Sequence, residues 1–178
     1  MLLQAALNGR LATDDHPAVP VSAEELAEDA AACVRAGARA FHLHPRDEAG
    51  RERLDAEIVD EVVIKVREAC GVPVGVTTGA WIEPDLPRRL DLVRAWRAPD
   101  YATVSLCEPG ATEIMKVLAD AGIGIEAEWA PAILNLGTAS ATTWVSVFLT
   151  CPTPSNARIL ALAEALARIG LATTAGEH

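Results

Sequence analysis

The segment Phe41-His42-Leu43-His44-Pro45-Arg46-Asp47 concentrates the chemistry of this sequence. Its histidines stand at i and i+2, a spacing that puts both side chains on one face of a strand. Neutral imidazoles held side by side suit a divalent metal, zinc above all. The same spacing also reads as two hydrogen-bonded histidines at a polar sheet end, with no metal. A catalytic zinc needs more than a pair: a third protein ligand and one open position. Arg46 follows directly. Its planar fork suits a substrate carboxylate, or surface pairing with Asp47 or Glu48.

Other polar residues stand where apolar runs end: Asn8, Thr77 with Thr78, Thr103 with Ser105, and Glu126. Their hydroxyls and amide can hold a carbonyl or carboxylate. Each taken singly also reads as turn or cap chemistry. Glu126 and Glu128 share a face, and Glu126 is the stronger candidate, as a catalytic group or a substitute metal ligand.

These residues need a scaffold that gathers strand ends. Leu2–Leu7, Ala38–His44, Val72–Thr77, Tyr101–Leu106 and Ile123–Ala127 read as strands. Helical stripes lie between them. Ser22-Ala23-Glu24-Glu25 is a capping box, with Leu26, Ala30, Cys33 and Val34 on one face and Gly37 as the stop. Asp55 and Asp85 read as N-caps of the next two helices, and Gly71 and Gly122 as stops. Glu108-Pro109-Gly110 reads as the turn into the fourth helix. Strand-helix units of this length imply right-handed crossovers and a parallel sheet. An open doubly wound sheet and a (β/α)8 barrel both fit. Asn8-Gly9-Arg10 lacks the Gly-rich turn of a dinucleotide fold, which favours the barrel type.

The regular pattern covers 1–128. From 129 to 178 it is irregular: Trp129–Ser140 shows no period, Thr143–Leu149 is β-rich, and Ser155 caps a last helix. The prediction is one α/β domain over 1–178, an incomplete (β/α)8 TIM-barrel type with five or six βα units, because a whole barrel takes about 250 residues.

The chain has 178 residues, 51% of them hydrophobic, enough for one core. A formal charge of −10 argues against nucleic acid, whose phosphates need clustered Lys and Arg. No apolar run is long enough to span a membrane, and the N-terminus has no basic region typical of a signal peptide. Cys33, Cys70, Cys107 and Cys151 form no CxxC pair, which suits reduced thiols. A cytoplasmic location is therefore expected.

Taken together, ALNG, HPAVPVSAEEL (16 to 26), AGARAFHLHPRD (36 to 47), VPVGVTTGAWIEPD (72 to 85), PDYATVSLCEPGA (99 to 111) and GIGIEA (122 to 127) resemble the β-keto acid cleavage enzyme family, in the family's order. The resemblance implies a zinc-dependent (β/α)8 barrel. It implies cleavage of a β-keto acid with an acyl-CoA, giving acetoacetate and a new CoA thioester. The family's metal-binding histidines fall on His42 and His44, and its substrate-contacting hydroxyls on Thr77 and Thr103. The family's third zinc ligand, a glutamate within R-x-x-x-E-D, has no counterpart here.

Three readings follow. One is a shortened, working enzyme of this family, with zinc and acyl-CoA, acting as a homo-oligomer. The second is a catalytically inactive remnant or interaction subunit lacking the third ligand. The third is an amidohydrolase-type zinc hydrolase. It is disfavoured because there the His pair sits on the first strand, and here the only other histidines are His16 and His178.

Overall fold

A computed structural model describes residues 3–129, 132–136 and 147–149. Its elements alternate: β1 (Gln4–Ala6), α1 (Ala23–Arg35), β2 (Ala40–Leu43), α2 (Ala56–Cys70), β3 (Val74–Thr77), α3 (Leu86–Arg94), β4 (Tyr101–Ser105), α4 (Ala111–Asp120), β5 (Gly124–Trp129), β6 (Ala132–Leu136) and β7 (Val147–Leu149). The strands hydrogen-bond in chain order, β1 to β7. β1 to β5 are all parallel. A doubly wound sheet reverses its strand order at a switch point. This one does not, so the α/β architecture is an arc of the barrel type, with four βα units and a fifth parallel strand. β6 and β7 then run antiparallel.

Local chemistry sets these elements. Ser22 Oγ accepts from the Glu25 N–H, and the Glu25 carboxylate returns the bond to the Ser22 N–H, the reciprocal capping box expected. Asp85 caps α3 through the Arg88 N–H. Asp55 stands at the N-cap of α2 but its carboxylate turns to Arg53 Nε at 2.8 Å, so the backbone is not capped by that side chain. Gly71 ends α2 at φ 68°, a left-handed turn that glycine makes without strain.

Alternation along the strands separates two faces. Phe41 and Leu43, Val74 and Val76, Ala102 and Val104, Ile125 and Ala127 all point into the core under the helices. Val59, Val63 and Val66 of α2 meet them, as do Trp96 and Ile114. The intervening residues, Gln4, His42, Thr77, Tyr101, Thr103, Ser105 and Glu126, share the other face. Right-handed crossovers leave that face uncovered by helices.

The stretch read as lacking a period contains β6, a correction. Ala132–Leu136 is a short apolar run, and such runs show no periodicity of their own. Within the predicted Thr143–Leu149 strand, Val147–Leu149 form β7, and 143–146 lie outside the described residues. The helix predicted from Ser155 lies outside the described residues.

Candidate active site

The site begins at the end of β2. His42 is the inward residue beside Gly75 of β3, and His44 follows just beyond the strand. Their Nε2 atoms are 3.0 Å apart, with the rings nearly perpendicular at 79°. Each ring is tied at its other nitrogen. His42 Nδ1 lies 3.1 Å from Thr103 Oγ1. His44 Nδ1 lies 2.7 Å from Glu52 Oε1. Thr103 hydrogen-bonds in turn to Glu126 Oε2 at 2.6 Å. Glu52 also accepts from the Trp81 indole N–H.

Burial sets the charge state of the pair. It pushes His42 down to about 3, helped by the neighbouring His44. His44 is also lowered by burial, and further by Arg46 and Arg10, while Glu52 opposes the shift. Both rings are therefore neutral near pH 7. Burial, with the Glu126 carboxylate next, raises the Tyr101 phenol well above its usual range.

The donor set fits a metal in one respect. Two imidazoles on one tetrahedral zinc, with bonds of 2.0–2.1 Å, have their nitrogens about 3.3 Å apart. The observed 3.0 Å is close to that. The outer nitrogens carry the kind of partners, a carboxylate and a hydroxyl, that orient metal-bound histidines. Among the described residues no group of three or more His, Cys, Asp or Glu side chains could hold a metal ion. The described chain supplies the pair, not the third ligand.

The remaining candidates divide. Thr103 and Glu126 join the histidines in one hydrogen-bonded chain. Glu126 does not stand beside them as a third ligand, a correction, because Thr103 lies between it and His42. Asn8 is buried beneath His44. It donates to the His44 and Pro20 carbonyls and accepts from the His44 N–H at 2.9 Å. Thr77 Oγ1 accepts from the Gly79 N–H. Ser105 is half-buried at the end of β4. Arg46 makes no surface pair with Asp47 or Glu48, a second correction. It is buried and holds the Gly9 and Leu11 carbonyls. Asp47 instead pairs with Arg51 and Arg53. No carboxylate of the described residues pairs with Arg46, and its buried Nε has no hydrogen-bond partner among them.

Sequence reasoning missed Glu52, Trp81, Gln4 and Tyr101. Glu52 returns to His44 through the loop after β2, where Arg46 and Glu52 form a bridge. No periodicity marks such a contact. Trp81 stacks on His44, centroids 6.0 Å apart, and Arg10 lies 5.0 Å from the Trp81 ring centre. One signal was legible: Gly79, two residues before Trp81, leaves the space that the indole fills.

Comparisons with known proteins point the same way. A family model described as beta-keto acid cleavage enzyme matches residues 1–168. A 3-keto-5-aminohexanoate cleavage enzyme of Fusobacterium nucleatum subsp. nucleatum is 32% identical over 118 residues, which is 64% of this chain and 43% of that protein. One from Acetoanaerobium sticklandii is 31% identical over 94 residues, 47% of this chain and 34% of that protein. The matched part of the chain spans less than half the length of either relative. With the family model running over most of the sequence, through every strand that carries the imidazoles and their partners, the chain belongs to the beta-keto acid cleavage enzyme family.

Proposed function

We propose that this chain binds zinc through His42 and His44 and cleaves a β-keto acid with an acyl-CoA, giving acetoacetate and a new CoA thioester. The observation that carries it is the meeting of two imidazole Nε2 atoms at 3.0 Å on the polar face of the sheet, His44 buried and His42 half-buried. Zinc, when bound, supplies Lewis acidity that polarises a ketone oxygen.

The chain's own residues bind and orient. Arg46 is a buried cation without a carboxylate partner among the described residues, a costly arrangement that a substrate carboxylate relieves. Thr77 and Ser105, on the same face, are placed to orient the substrate's carbonyl groups. An ionised Glu126 accepts the Thr103 hydroxyl proton at Oε2, which turns a Thr103 lone pair toward His42 Nδ1. Asn8 anchors the His44 backbone. The third metal ligand comes, in this reading, from outside the described residues or from a second copy of the chain.

A homo-oligomer also suits a sheet whose edges need covering. Among the described residues no helix is long and apolar enough to cross a membrane. Cys33, Cys70 and Cys107 are unpaired thiols, in keeping with a cytoplasmic location.

A second reading is an inactive remnant or interaction subunit of the same fold. That the described residues supply two ligands and no third favours it. Metal analysis of untagged protein, followed by an assay for acetoacetate formed from β-keto acids and acetyl-CoA, separates the two. Bound zinc that is lost in His42→Ala, with acetoacetate produced, supports the enzyme. Absence of zinc, with no gain in stability when zinc is added, overturns it.

A further inference from the structure

The protons of the histidine pair can be counted. Thr103 has one hydroxyl proton. It goes to Glu126 Oε2, 2.6 Å away, which as a carboxylate oxygen only accepts and also takes the Gln4 amide at 3.3 Å. The Thr103 oxygen is then an acceptor toward His42 Nδ1, so that nitrogen carries the ring proton. Glu52 likewise only accepts. The Trp81 N–H donates to one of its oxygens, and His44 Nδ1 must donate to the other, 2.7 Å away. A neutral imidazole has a single N–H. With both carboxylates ionised and both rings neutral, both Nε2 atoms are bare and face each other at 3.0 Å. Two lone pairs facing each other repel, and a shared cation reverses the sign.

We propose that Glu52 is a positioning residue of this centre: it holds the His44 proton on Nδ1, and with the Trp81 indole pinning its second oxygen it delivers a bare Nε2 to the point shared with His42. The inference rests on the zinc reading above and adds to it the residue that makes His44 a ligand. Glu52 has the geometry for the role, with a side chain only 16% exposed. Trp81 stacks on the same ring that its N–H helps to orient, which fixes carboxylate and imidazole together.

The test compares Glu52→Leu with Glu48→Leu. Glu48 is an exposed carboxylate in the same loop, so its loss removes an equal charge without touching His44. Long-range ¹H–¹⁵N spectra of the full, metal-free chain read each ring's tautomer. Zinc affinity is read by competition with a chelator. In the parent protein His44 carries its proton on Nδ1. In Glu52→Leu the proton moves to Nε2, where it donates to His42 Nε2, and zinc affinity falls about 10–100-fold. Glu48→Leu matches the parent in both. Retention of the Nδ1 proton in Glu52→Leu, or zinc affinity within about threefold of the parent, overturns the proposal. Should Glu52→Leu fail to fold, Trp81→Phe keeps the stack but removes the N–H. It should weaken zinc binding severalfold, and unchanged affinity there overturns the proposal equally. A parent protein that binds no zinc sinks the zinc reading alone, because the tautomer spectra still decide the role of Glu52.

Discussion

The ring of Tyr101 lies across Gly75, filling the space where a side chain at that position would begin. The contact crosses from β4 to β3, and the Tyr101 hydroxyl reaches one strand further, donating to the Phe41 carbonyl beside His42. Gly75 thus lets an aromatic ring floor the site beneath the histidine pair.

Gly75→Ala forces that ring away. It should cost about 1–3 kcal/mol, as overpacking of a filled site does. Urea unfolding of the parent and variant measures the difference. Tyr101→Ala, introduced together with Gly75→Ala, should remove most of the penalty specific to the glycine. Equal costs of Gly75→Ala in both backgrounds would show that the ring is not what the methyl meets.

Stability of the metal-free protein should fall on acidification. Burial holds the folded-state value of His42 near 3, against an ordinary value of 6.5. Below 6.5 the unfolded chain takes up a proton that the folded chain refuses, so protons favour unfolding. The contribution is whole above 6.5, declines as pH falls toward about 3, and changes no further below that. His44 shifts in the same direction. Denaturation midpoints measured from pH 7 downward should show this slope, and His42→Asn should flatten it.

Asn8 should matter more than an ordinary turn residue. Its side chain makes three hydrogen bonds to backbone, two of them to His44. Asn8→Ala leaves buried backbone groups unpaired, at about 1–3 kcal/mol. Zinc affinity should fall with stability, because His44 loses its backbone anchor. Chemical denaturation and chelator competition on the same variant check both.

Arg46→Met tests the carboxylate role. The variant should weaken binding of a β-keto acid about tenfold or more, the loss expected when a charge-assisted pair is removed. It should leave binding of the matching methyl ketone, which has no carboxylate, nearly unchanged. Titration calorimetry with the two ligands reads the difference. Equal losses for both would mean that Arg46 serves only to hold the loop through the Gly9 and Leu11 carbonyls.

Much of this site was legible in the residues. The i, i+2 spacing of His42 and His44 put both rings on one face because strand geometry has a period of two. Apolar runs that stop at Thr103 and Glu126 marked both as polar strand ends, whereas their sharing a face with His42 follows from the register between strands. Ser22 and Glu25 announced α1 because a capping box is a local exchange of hydrogen bonds within four residues. Tertiary structure decided what depends on chain segments far apart in sequence. That Arg46 is buried follows from the path of the loop after β1. That Glu126 holds Thr103 instead of a metal follows from β4 lying between β5 and β2. That Glu52 and Trp81 close on His44 follows from two loops meeting above the sheet. A hydrogen bond needs its partners within about 3 Å, and periodicity along one strand carries no information on which loop will bring the other partner there.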